Sequence, residues 1–173
     1  MYEQVENYVY NDHKATFYNN AEEFMKDKKE LFDSIIGQEV KKFWISWYTG
    51  AFDVKDTINE VAIEMMDGRR FILMGHYHDC FAFDPFTIDY DFNTGTDSKG
   101  KKVRMLYPWR SASTMRPSVL EKIEPLYGPD EDGEVIFYGV EITTAIQTMK
   151  VKNRYEALDV KVVPRKNQTD DNE

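Results

Sequence analysis

The chain has 173 residues, of which 22 are basic and 31 acidic, for a formal net charge of −9. That length fits one domain with its own core, and the acidic balance repels nucleic-acid phosphates, which excludes direct DNA or RNA binding as the main expected task. A single cysteine excludes an intrachain disulfide and fits a reducing, cytoplasmic setting, and no apolar run approaches the ~20 residues that span a bilayer.

The opening MYEQVENYVYN lacks the basic-then-apolar pattern of a secretory leader. Val5, Tyr8 and Val9 fit a short helical face, while Tyr8 and Tyr10 equally fit an edge strand. Asn20 then stands as an N-cap ahead of Ala21-Glu22-Glu23, whose acidic residues complement a helix dipole. Phe24, Lys28, Leu31, Phe32, Ile35 and Ile36 follow at helical spacing, and Gly37 closes the helix. From Glu39 the period changes to two, so that Phe43, Ile45 and Trp47 share one face and Val40, Trp44 and Tyr48 the other. Ile58 to Met66 predicts a second strand. Asp67-Gly68 is a hairpin signal, and Arg69 to Phe83 predicts the return strand.

Residues 84–100 predict a loop rich in Asp, Gly, Thr and aromatics, and Lys102 to Tyr107 a short strand. Pro117 opens a predicted second helix with Val119, Leu120, Ile123 and Leu126 on its apolar side, ended by Pro125 and Gly128-Pro129. Asp130-Glu131-Asp132-Gly133 predicts an acidic turn. Glu134 to Lys150, bent at Gly139, and Arg154 to Val163 predict two more strands, with Ile136, Tyr138, Val140, Ile142 and Thr144 on one face. The expected architecture is α+β: a mostly antiparallel sheet of five to six strands with one longer and one shorter helix packed on it. One domain is expected over residues 1–163, with a disordered C-terminal tail over 164–173.

Gly75-His76-Tyr77-His78-Asp79-Cys80 gathers two of three histidines and the one cysteine. On a continuous strand, alternation puts His76, His78 and Cys80 on one face and Asp79 on the other. Two such histidines can share a divalent metal, with Cys80 as a soft third ligand and His13, Asp84 or Asp89 as the fourth. A Cys–His pair can also activate a thiolate. Asp89, Asp91, Asn93, Gly95 and Asp97 alternate as oxygen ligands do in a calcium loop, but Thr94 and Gly100 stand where that pattern wants glycine and glutamate. Lys101, Lys102 and Arg104 make a basic cluster able to meet an anion. Trp44 and Trp109 are large amphipathic anchors of the kind recruited to interfaces, and Asp130, Glu131 and Asp132 offer negative charge to a basic partner.

Two resemblances bear on these residues. FILMGHYH resembles the strand-then-Gly-His-x-His element of calcineurin-like metallophosphoesterases; the family's Asp-x-His, Gly-Asp and Gly-Asn-His pieces are absent from the sequence. Asp67-Gly68-Arg69-Arg70-Phe71, Met74 and His78-Asp79-Cys80 resemble a pattern in small phage-encoded domains of no assigned activity. There an Asp-Gly hairpin leads to a histidine and then Asp-Cys-Cys; Phe81 replaces the second cysteine here. That likeness covers about residues 36–90 and implies a phage or mobile-element source. The expected function is a non-enzymatic acidic binding protein that docks on, and inhibits, a host protein such as a nucleic-acid-binding or defence-system factor. The alternatives are a metal-dependent hydrolase built on His76 and His78, and a nucleotide sponge built on the basic cluster.

Overall fold

The computed structural model describes residues 15–47, 58–76, 79–85, 94–96, 102–104, 109–154 and 157–166; Trp47, Asn59, 94–96 and 102–104 are described as backbone only. The helix α1 (Ala21–Ile35) begins as its sequence dictates: Asn20 accepts the Glu23 N–H at 2.9 Å, the standard N-cap bond. It ends at Ile35 with Ile36 as its C-cap, and the following Gly37 adopts φ 88 and donates its N–H to the Leu120 carbonyl at 2.7 Å. The strands that follow are β1 (Val40–Trp47), β2 (Ile58–Met65), β3 (Arg70–His76), β4 (Cys80–Pro85), β5 (Thr94–Thr96), β6 (Lys102–Arg104), β7 (Trp109–Ser111), β8 (Leu120–Pro129), β9 (Val135–Thr144), β10 (Gln147–Arg154) and β11 (Ala157–Pro164).

The fold is therefore mostly β, with one helix among the described residues, and the α+β expectation is corrected. Five strands in the order β4-β3-β2-β1-β7 form one antiparallel unit and four, β11-β10-β9-β8, a second, joined among the described residues through the pair Leu158↔Ile58. β5 and β6 make a separate ladder. The predicted second helix is β8. A register shift between Leu120 and Lys122 places an extra residue opposite Thr143–Thr144, so Leu120 and Ile123, three apart, both enter the core. Spacing of three that reads as helical is here a bulged strand. Pro125 fits because β8 lies at the end of the strand order, where a missing N–H breaks no ladder.

The same device corrects β9. The register steps from Leu126↔Gly139 to Tyr127↔Phe137, so Phe137 rather than Ile136 joins Val140 and Ile142 in the core. The predicted single strand from Glu134 to Lys150 is a hairpin turning at Ala145-Ile146, held by Thr144 Oγ1, which accepts from the Gln147 N–H at 3.1 Å. In the predicted tail, Pro164 ends β11 and the Arg165 N–H donates to the Ile146 carbonyl at 2.9 Å; residues 167–173 lie outside the described residues.

The first sheet is covered on both faces. Its inner row Ile45, Val61, Leu73 and Phe83 meets β8–β11 and the α1 residues Phe24, Phe32 and Ile35 in the main core. Phe24 touches Phe137 and Phe81 with ring centroids 4.9 and 6.2 Å apart. The outer row Trp44, Ala62, Ile72 and Asp84 meets Ala15, Phe17 and Trp109 in a second, smaller cluster. Two-sided burial explains the apolar runs of β3 (Phe71 to Met74) and β4 (Cys80 to Phe83).

Candidate functional site

The Gly75–Cys80 segment is divided between two strands and is not the middle of one strand. β3 ends at His76, β4 starts at Cys80, and these two residues face each other across the ladder. His76 and Cys80 thus share a side, as expected, but by cross-strand pairing; His78, like His13 and Asp89, lies outside the described residues. Asp79 does not oppose them: its carboxylate accepts the Cys80 thiol at 3.5 Å. The facing strand ends are clasped from the second unit by Asn153, whose Nδ2 donates to the Cys80 carbonyl at 2.8 Å and the His76 carbonyl at 3.3 Å. Gly75 is required beneath it, since a Cβ there would lie 2.3 Å from Asn153 Oδ1. The His76 ring packs against Phe17 at 5.2 Å. Among the described residues, no group of three or more His, Cys, Asp or Glu side chains is placed to hold a metal.

Burial, reinforced by the Asp79 charge and hydrogen bond, pushes the Cys80 thiol up to about 11. The arrangement is the reverse of the electropositive setting that activates a thiolate. Stability contributed by the protonated thiol is present below the free-thiol value of about 8.5 and is lost as pH rises toward the folded value. Thiol-specific labelling in mildly alkaline buffer is therefore expected to be slow in the native protein and complete on denaturation. Equal rates in the two states would place Cys80 at the surface.

The predicted anchors sit on the outer face of the first sheet. Trp109 is 3% exposed and pairs with Ser46, which corrects its expected role as a partner-binding anchor: it is core. Trp44 is half-buried on the same cluster, with the Lys42 ammonium 4.4 Å from its ring centroid, a cation–π contact. A charge triad and a charge pair border this face. Arg70 and Lys41 hold the Glu64 carboxylate at 2.9 and 3.2 Å; burial opposes its ionisation, but these hydrogen bonds and charges prevail and bring it below the usual carboxylate range. Asp84 accepts from Lys28 Nζ at 2.6 Å and from the Thr16 N–H at 2.8 Å. Lys101 lies outside the described residues, and Lys102 and Arg104 are described only as backbone paired with Thr96 and Thr94. β5 occupies the middle of the calcium-like loop.

The acidic turn is where the sequence puts it. Asp130 is used structurally, its Oδ1 accepting the Asp132 and Glu134 N–H groups at 2.9 Å each, while Gly133 takes φ 81. Glu131, Asp132 and Glu134 are exposed around it. Beside this tip lies a feature that sequence reasoning missed. Tyr127 and Val135, 61% and 72% exposed, stand on β8 and β9 next to the turn. With Ala21, Glu22, Met25 and Phe137 they line an open groove of about 520 Å³ between the first turn of α1 and the strand ends. Reading residues 117–128 as a helix hid it, because only a β8–β9 hairpin brings Tyr127 beside Val135.

Comparison with known proteins gives no relative: a scan against protein-family models, a search of the curated proteins and a search of the solved structures each return no match. No described helix is long and apolar enough to cross a membrane.

Proposed function

We propose that this chain is a non-enzymatic binding protein that docks its acidic hairpin on a positively charged protein partner. The observation that carries this reading is the juxtaposition, on one hairpin end, of exposed Glu131, Asp132 and Glu134 with the exposed apolar side chains of Tyr127 and Val135. Scattered exposed apolar residues need no explanation, but an apolar patch rimmed by charge marks an interaction site. The overall charge of −9 favours fast encounter with a basic surface, such as the phosphate-binding face of a nucleic-acid-binding protein. The phage-like pattern of residues 36–90 suggests that the partner belongs to a host, and inhibition by occupying that face is the natural consequence.

Affinity capture with the wild-type chain and with an E131K/D132K/E134K variant tests this. The expected result is a specific partner whose retention falls with added salt and disappears on charge reversal, while circular dichroism and melting of the variant are unchanged. Retention indifferent to both salt and charge reversal counts against the reading.

A further inference from the structure

The acidic tip explains attraction to a basic surface but not selection of a particular one, and the adjoining groove supplies that. Its lining is mostly apolar (Ala21, Met25, Tyr127, Val135, Phe137), with Asn19 and Asn20 at the entry to α1, and its volume of about 520 Å³ lies in the range, roughly 300–1,000 Å³, of pockets that receive ligands of drug size. Glu22 lines it from α1, and the exposed Glu131, Asp132 and Glu134 immediately precede the lining residue Val135 on the hairpin. Lys122, the cation of β8, is matched with Glu124 at 2.8 Å, and Lys150 of β10 lies 3.8 Å from Glu141. Strand addition along β8 is interrupted by Pro125 and Pro129, which carry no N–H. An occupant therefore engages by side chains and not by extending the sheet.

Resting on the docking function above, we propose that the groove receives one large apolar side chain of a linear segment whose flanking residues are lysine or arginine. The apolar anchor fills the space over Phe137 and Met25, and the flanking cations meet Glu22 at the groove and the acidic turn Glu131, Asp132 and Glu134 that adjoins it. A buried anchor ringed by charge is the arrangement in which a few residues carry most of the binding energy.

Fluorescence anisotropy with three labelled synthetic peptides tests this on the full chain: a phenylalanine flanked by lysine and arginine, the same peptide with alanine at the centre, and the phenylalanine flanked by glutamate. The first is expected to bind, the second to bind about tenfold more weakly, and the third not to bind. The variants Tyr127→Ser and Val135→Ser, at exposed positions that leave the core intact, are expected to weaken the first peptide about tenfold while leaving the second unchanged. Equal binding of the first two peptides, or indifference to both groove variants, overturns the anchor proposal while leaving charge-driven docking standing. No binding of the first peptide up to millimolar concentration also overturns it, and if capture is insensitive to charge reversal as well, both readings fall. Sedimentation showing a dimer lost in Tyr127→Ser overturns it in favour of a second copy of the chain as occupant.

Discussion

Replacing Gly139 with alanine is expected to remove a large share of the protein's stability and to lower its soluble yield. A Cβ at this position would lie 2.0 Å from the Val151 carbonyl oxygen and 3.0 Å from the Lys152 Cα. Both are backbone atoms of β10, which is hydrogen-bonded to β9 on one side and β11 on the other, so neither retreats by a rotamer change. Relief requires breaking the β9–β10 ladder or undoing the bulge that delivers Phe137 to the core. The expected cost is about 3–5 kcal/mol, out of the roughly 5–15 kcal/mol that holds a domain of this kind together. Gly133→Ala is the control: its φ of 81 is unfavourable for alanine, but nothing lies within 4 Å, so about 1 kcal/mol is expected from backbone strain alone. Chemical denaturation midpoints and soluble yield give the comparison. Equal midpoints for Gly139→Ala and wild type would mean that β9 is not bulged there and that Phe137 reaches the core in some other way.

Bulges also decide how much of this fold was legible in the sequence. Elements with intact local signals read correctly: the Asn20-capped helix, and the hairpin turning at Asp67-Gly68, where Gly68 has φ 91. Alternation fails wherever one extra residue enters a strand, because every side chain beyond it changes face. This happened in β1 between Val40 and Lys42, in β8 at its start, and in β9 before Gly139. Val40 and Phe43 share the core despite a spacing of three, and Leu120 and Ile123 do the same. Such spacing is what a helix also produces, and nothing local separates the two. The Ala145-Ile146 turn was hidden for a different reason: it contains no Gly, Pro, Asn or Asp, and its hydrogen bonds come from Thr144, a residue equally at home in a strand. Of the candidate surface, the acidic turn was legible because Asp130 and Gly133 are local turn chemistry. The groove beside it was not, because it exists only once α1 and two strands distant in sequence have met.

Lys28→Met is the second substitution with a large expected effect. Lys28 interrupts the apolar stripe of α1, and in the fold its ammonium reaches Asp84 on β4 with side chains only 12% and 11% exposed. The same carboxylate accepts the Thr16 N–H, so one buried group ties α1, β4 and the segment that enters the helix. Removing the cation alone leaves a buried carboxylate without its counter-charge, at an expected cost of about 3 kcal/mol, the low end for breaking a buried pair because slight exposure screens it. Replacing both, as Lys28→Met with Asp84→Leu, is expected to recover most of that loss, since desolvating the pair nearly offsets its attraction. About 1 kcal/mol should stay lost for the Thr16 N–H left without its acceptor. A double-mutant cycle in urea measures the coupling, and additive single effects would show that the pair contributes little. The cycle also reaches the groove, because the segment bonded through Thr16 and Tyr18 to β4 leads directly into Asn19 and Ala21 on the groove wall. If that wall is positioned by the pair, the single variant should weaken binding of the phenylalanine-centred basic peptide even where it remains folded, and the double variant should restore it in proportion to recovered stability. A double variant that regains stability but not binding would mean that Asp84, through the Thr16 N–H, sets the approach of the chain to the groove independently of Lys28.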